Sequence, residues 1–232
     1  MTEIRLEWGE AGVAKLCHWA NAVVIVDVLS FSTCVSIAAD REIQILPFEH
    51  DYEEAAAFAV SKEAIVAKRR RDATNNDVSL SPASFTRASP GTRYVLPSPN
   101  GATLSRLASD REVFAGCLRN ARAVGKALSK FHKVAVIPAG ERWNDNSLRP
   151  AIEDWLGAGA IVDAMSGARA PEAEIAVRSF RSANGELALL IGESESGREL
   201  AGSGYAEDVT YAAELNVSGR VPKLKNGVYS AV

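Results

Sequence analysis

The chain has 232 residues, 47% of them hydrophobic and 24% charged, and a net charge of −3. That is enough chain for a substantial core in one large or two small domains, and the weak negative charge excludes a field that would gather nucleic acid or anionic lipid. No apolar run approaches the ~20 residues of a membrane span, and the opening MTEIRLEWGE has neither the basic start nor the apolar stretch of a secretion signal, so a cytoplasmic protein is expected.

In chain order, the hydrophobic pattern predicts a strand over 4–8 and a helix over 10–19. A second strand runs over 22–28, apolar until Asp27, and leads into a helix over 32–41. Strand, helix and short strand follow over 43–47, 52–60 and 64–67. Residues 68–91, KRRRDATNNDVSLSPASFTRASPG, show no clear period. Structureless stretches of that length are commonly lids or binding loops; this one reads as a lid, with a plain surface excursion as the alternative. Its basic start, 68–71, is followed by Asp72 and reads as a solvated edge, since no basic stripe continues it. Next come a strand over 93–96, a helix over 102–109, a strand over 112–115, a helix over 121–130 and a strand over 134–138. A strong helix occupies 151–165. The remainder is mainly helical, over 171–181, 185–191, 195–201 and 206–214, with an extended tail near Val221. This alternation predicts a single α/β domain over 1–232 with a mainly parallel sheet. Residues 23–26 and 134–137, apolar at every position, predict strands covered on both faces.

Cys17, Cys34 and Cys117 have no metal-ligand spacing and read as reduced, buried thiols. His18, His50 and His132 form no cluster and no H-E-x-x-H, which argues against a zinc hydrolase. There is no G-x-S-x-G elbow and neither standard nucleotide-binding glycine fingerprint.

In open α/β sheets, ligands bind where strands end and loops lead into helices. Asp27, Ser30, Ser32 and Thr33 follow the second strand. A lone carboxylate on an apolar strand prefers to take up a proton unless a metal ion or several donors meet it; Asp27 is therefore either a functional acid or a cap for the next helix. Ser98, Pro99, Asn100 and Gly101 form a turn between strand and helix, the physical recipe for an anion cradle. Gly116, Cys117, Leu118, Arg119 and Asn120 follow the strand over 112–115. Glu141, Arg142, Asp145 and Arg149 lie in the loop before the helix that carries Glu153 and Asp154 in its first two turns. The helix dipole alone accounts for acids there; two acids beside two arginines also suit a divalent cation next to a phosphate or carboxylate. The GAGA run at 157–160 reads as close helix packing.

Taken in order, these segments resemble the 2-phosphosulfolactate phosphatase family, the ComB-like proteins. The shared features are Asp27-Val28-Leu29 with its hydroxyl-rich turn, Ser81-Pro82, Ser98 to Gly101, Gly116-x-Leu118-x-Asn120-Ala121, Ala139-Gly140, Glu153-Asp154 followed by Ala158-Gly159-Ala160, Asp208-Val209 and Val221-Pro222. The resemblance implies a three-layer α/β/α fold and a magnesium-dependent phosphatase for a small phosphorylated hydroxy acid, 2-phosphosulfolactate or a related phosphoester. It departs at Ser30, where the family carries an arginine. Serine offers no bidentate grip on phosphate, sulfonate or carboxylate, so Arg142 and Arg149 are expected to replace that charge.

The expected site therefore has Asp27, Glu153 and Asp154 on Mg2+. Ser32, Thr33, Ser98, Asn100, Gly101 and Asn120 are expected at the phosphate, Glu141 at water, and Arg142 or Arg149 at the phosphoryl charge. Asp27 as nucleophile remains open, although Leu29 breaks a D-x-D pair and favours the ligand role. The partner is a small anionic phosphoester, with no nucleic acid and no membrane, and a homodimer is left open. The alternatives are a phospho-acid binder of the same fold that does not hydrolyse its ligand, and a dinucleotide-dependent oxidoreductase, which the absent glycine fingerprint disfavours.

Overall fold

The computed structural model describes residues 1–49 and 51–232, so His50 lies outside the described residues. Among those described, ten strands form one mixed sheet flanked by helices on both faces, the layered α/β arrangement expected. The strands are β1 (Glu3–Leu6), β2 (Ala22–Val26), β3 (Gln44–Phe48), β4 (Ile65–Val66), β5 (Arg93–Pro97), β6 (Glu112–Gly116) and β7 (Lys133–Pro138), then β8 (Glu141–Arg142) and β9 (Leu148–Arg149), which pair separately, and finally β10 (Ala168–Arg169), β11 (Pro222–Lys225) and β12 (Val228–Ala231). The order in the sheet is β10-β1-β7-β2-β6-β11-β12-β3-β5-β4.

The helices are α1 (Gly9–Leu16), α2 (Phe31–Asp40), α3 (Tyr52–Ser61), α4 (Pro82–Phe85), α5 (Gly101–Leu107), α6 (Ala121–Leu128), α7 (Ile152–Asp163), α8 (Pro171–Ala183), α9 (Leu187–Gly192), α10 (Glu195–Gly202) and α11 (Ala206–Ala213). Successive strand residues point to opposite faces, and in β2 both faces are dry. Val24 and Val26 join Val124, Ile161 and Val177 in one core; Val23 and Ile25 join Val13, Phe31, Val35 and Leu104 in the other. Burying each such valine or isoleucine contributes about 1.5–3 kcal/mol. A Cβ on Gly159 would stand 2.2 Å from the Ala176 carbonyl oxygen, so the small-residue run lets α7 lie directly on α8, as its sequence suggests. No helix among the described residues is long and apolar enough to cross a membrane.

β10, β1, β7, β2 and β6 run parallel to one another, and so do β3, β5 and β4. A hairpin joins the two groups: β11 pairs antiparallel with β6, β12 with β11, and β12 with β3. Three reversals in a row make the β3–β5 group run opposite to β2 and β6. The sequence reading offers only an extended tail here. Asn226 and Gly227 take φ of 53° and 77°, the two left-handed positions of a tight hairpin turn, and Asn-Gly is the usual pair for it. The sheet then curls. β5 stands five places from β2, yet the N-terminus of α5, which follows β5 directly, meets the end of β2.

The 68–91 segment is more structured than its sequence pattern indicates. Lys68 bridges to Ser79, α4 occupies Pro82–Phe85, and Arg41 donates two hydrogen bonds to the Ala88 carbonyl. Cys17, Cys34 and Cys117 are free and buried, as expected.

Candidate active site

β2 lies between β7 and β6, so Asp27, at its carboxyl edge, faces the turns that follow both neighbours. It is 5% exposed, and its carboxylate accepts two main-chain hydrogen bonds: Oδ1 from Phe31 N at 3.1 Å and Oδ2 from Gly101 N at 2.8 Å. Gly101 must be glycine here, because a Cβ would come within 2.7 Å of Asp27 Oδ2 and 2.4 Å of the Phe31 ring. Asp154, 3% exposed in the first turn of α7, is held the same way: Oδ1 accepts from Val28 N at 2.7 Å and Oδ2 from Gly140 N at 2.8 Å. Gly140 has a φ of +69°, and a Cβ there would crowd the Arg149 carbonyl at 2.9 Å. Each aspartate thus takes an N–H from a glycine in a different loop, which ties the β2, β5 and β7 ends together.

Glu153, 2% exposed, has Arg149 and Ser196 for neighbours, and its Oε2 is buried without a hydrogen-bond partner. Burial raises the Asp27 carboxyl from 3.8 to about 6 against the pull of the Phe31 and Gly101 N–H groups, with Glu141 and Glu153 adding to the rise. Asp154 is pushed well above the ordinary carboxylate range by burial and by the charges of Asp27 and Glu153. Burial raises Glu153 as well, opposed by the Ser196 hydroxyl and Arg149. Among the described residues no ion pair reaches any of these three acids.

Asp27, Glu153 and Asp154 lie close enough to act on one another electrostatically, whereas several of the other expected site residues are engaged elsewhere. The Ser32 hydroxyl donates to the Ile25 carbonyl and accepts from Asp27 N; the Thr33 hydroxyl donates to the Val28 carbonyl. Both fix the β2–α2 turn and are committed to the main chain rather than to a phosphate. Ser98 is buried, with its N–H on the Phe48 carbonyl, and Asn120 bonds Cys117 N and the Ala115 carbonyl, closing its own turn. The anion in the Gly101 cradle is the protein's own Asp27. Asn100 donates to Glu141 Oε1 at 3.1 Å, locking the two loops together.

The two arginines expected at the phosphoryl group are also engaged. Arg142 pairs with Glu10, and Arg149 makes a two-pronged pair with Glu199 at 2.9 and 2.8 Å. They lie on the β8–β9 hairpin, which the sequence reading takes for a plain loop. An arginine that sequence reasoning leaves in solvent instead reaches inward: Arg70 donates to the Ser30 hydroxyl at 2.7 Å and lies 3.6 Å from Asp208 Oδ2. Asp208, 1% exposed, accepts from the Ser81 hydroxyl and Ala83 N. The Asp208-Val209 and Ser81-Pro82 pairs are visible in the sequence; that they meet is not.

Two clefts open beside these groups, and Glu141 borders both. One, of about 190 Å³, is lined by Trp8, Glu10, Asn100, Ala139, Arg142 and Leu148. The other, of about 430 Å³, is lined by Leu29, Arg70, Ser196, Glu199 and Tyr205. Asp27, Glu153 and Asp154 line neither; Leu29 lies two residues past Asp27, and Ser196 faces Glu153.

A divalent cation fits this donor set in part. Among the described residues no three His, Cys, Asp or Glu side chains gather as a ready metal cage, so the expected closed set of Asp27, Glu153 and Asp154 is not formed. Asp27 and Asp154 each have both oxygens on main-chain N–H groups, which hold the two carboxylates to the chain rather than to one shared point. Magnesium, however, needs only one or two carboxylates beside water and substrate oxygens. The buried, unpartnered Oε2 of Glu153 and the remaining lone pairs of Asp27 are donors of that kind.

A family model described as 2-phosphosulpholactate phosphatase matches residues 12–227. A 2-phosphosulfolactate phosphatase of Methanothermobacter thermautotrophicus is 30% identical over 97% of this chain and 93% of its own. A probable 2-phosphosulfolactate phosphatase of Carboxydothermus hydrogenoformans is 31% identical over 88% and 86%, and a 2-phosphosulfolactate phosphatase of Methanocaldococcus jannaschii is 25% identical over 83% and 84%.

Proposed function

The chain belongs to the 2-phosphosulpholactate phosphatase family, and from that premise we propose that it is a phosphoric monoester hydrolase. Its substrate is a small phosphorylated hydroxy acid, 2-phosphosulfolactate or a close relative, and its cofactor is Mg2+. The observation that carries the reading is the meeting of Asp27, Glu153 and Asp154 at one strand end without a compensating cation, with Glu153 Oε2 buried and unpaired. Three carboxylates whose pKa values are raised by burial, with neighbouring acids adding to the rise, are unfavourable alone. They are favourable around a bound cation.

In this reading Asp27 and Glu153 hold the ion, which when bound neutralises charge on the phosphoryl oxygens. Asp154 positions the site: through Val28 N and Gly140 N it fixes the chain on either side of it. Gly101 N orients the Asp27 carboxylate. Glu141, at the border of both clefts and steadied by Asn100, accepts a proton from the attacking water.

The test is phosphate release from 2-phosphosulfolactate and a panel of phosphorylated hydroxy acids, with Mg2+ and after chelation. Release that stops on chelation and returns with Mg2+ is expected. No release from any ester in the presence of Mg2+, with tight binding retained, leaves the non-hydrolysing binder in its place.

A further inference from the structure

Arg70 sits in a setting unlike that of Arg142 and Arg149. Each of those is matched by a glutamate. Arg70 is held by contacts that leave its guanidinium only partly used. One N–H of Nη2 goes to the Ser30 hydroxyl; the Tyr205 ring lies 5.2 Å from the guanidinium carbon, and the Tyr205 hydroxyl donates to the Arg70 carbonyl at 2.8 Å. The carboxylate nearest to it, Asp208 Oδ2, stands off at 3.6 Å and is itself buried without a hydrogen-bond partner, as is Arg70 Nε. Buried polar groups are normally satisfied, so a pair left open calls for an explanation.

The guanidinium borders the cleft of about 430 Å³ that also carries Leu29, Glu141 and Ser196, each next to the acid cluster in chain or in space. Glu199 on the same wall is neutralised by Arg149. An arginine offers five N–H donors in a planar fork that matches a carboxylate or sulfonate two bonds at a time. We infer that Arg70, delivered by the 68–91 segment onto Ser30, is a specificity-determining residue that grips the acidic group the substrate carries beside its phosphate. The inference rests on the phosphatase reading.

The experiment compares the wild type with Arg70→Gln and Arg70→Lys on three C2 phosphate esters: 2-phosphosulfolactate, 2-phospholactate and 2-phosphoglycerol, which has no second acid. Loss of even one charged hydrogen bond amounts to about 10–100-fold. Arg70→Gln is expected to lower kcat/KM for the two acidic esters at least about tenfold more than for 2-phosphoglycerol, mostly through KM, and Arg70→Lys to recover part of that difference. Equal losses on all three esters, or no loss, overturn the inference. Should Arg70→Gln fail to fold, Arg70→Lys alone decides on the same ratio. If the wild type hydrolyses none of the esters, the phosphatase reading falls separately. Arg70 is then read by calorimetry with sulfolactate, where weaker binding to the variant supports it, and equal binding or none to the wild type overturns it.

Discussion

At the carboxyl edge of β2 and at the joint between the 68–91 segment and α11, this protein buries aspartates in two ways. Asp154 has both oxygens on main-chain N–H groups and two other acids for neighbours. Asp208 has one oxygen on Ser81 and Ala83 and turns the other toward Arg70. Burial raises the pKa of both. What differs is the sign of the charge next door: Asp27 and Glu153 push Asp154 further up, whereas Arg70 pulls Asp208 down. Burial alone therefore does not distinguish a working carboxylate from an anchoring one; the neighbours do. Gathering like charges costs stability, as functional sites commonly do.

The contrast can be broken most sharply at Asp27. Asp27→Asn removes the charge and one of two acceptors, and phosphate release is expected to fall by about 10²-fold or more, with the Mg2+-induced rise in Tm lost and the far-UV circular dichroism unchanged. Undiminished turnover removes the cation from the first region. Asp208→Asn is expected to act the other way round, on stability first. It leaves Arg70 without its counter-charge and costs about 1–3 kcal/mol in urea denaturation. Denaturation midpoints equal to the wild type would show that Asp208 anchors nothing.

The smallest effect lies in pH. With its carboxyl raised from 3.8 to about 6, folded Asp27 keeps a proton that the unfolded chain has already released. Its contribution to stability is therefore full below about 3.8 and is lost as pH rises through about 6. In metal-free buffer, the Tm of the wild type relative to Asp27→Asn should fall across that window, and Mg2+ should flatten the fall by favouring the ionised form. A difference that grows with pH would contradict the burial argument.

Much of this was legible in the sequence where local chemistry decides. An apolar strand that ends on Asp27 announces a carboxylate in need of donors, and Asn100-Gly101 announces a turn that brings an N–H close. The sequence does not say that these two needs answer each other, because β5 reaches β2 only through the curl of the sheet. Ser32, Thr33 and Asn120 have the residue types of a phosphate site, and their turns claim them first, since local side-chain to main-chain bonds form at little entropic cost. Arg70 was illegible: in a run of four basic residues, nothing local marks which one turns inward, and the choice is made by Ser30, Tyr205 and Asp208, all distant in sequence. The Asn226-Gly227 pair is a local hairpin signal, but nothing local says that its hairpin bridges β6 and β3.

The hairpin of β11 and β12 also sets a timetable. During synthesis from the amino end, β6 and β3 each wait with an open edge, and the two parallel ribbons they belong to share no strand ladder until residues 222–231 emerge from the ribosome. A nascent chain paused after α11 would hold Asp27 on one ribbon and Gly101 on the other, with exposed edges that invite pairing between chains.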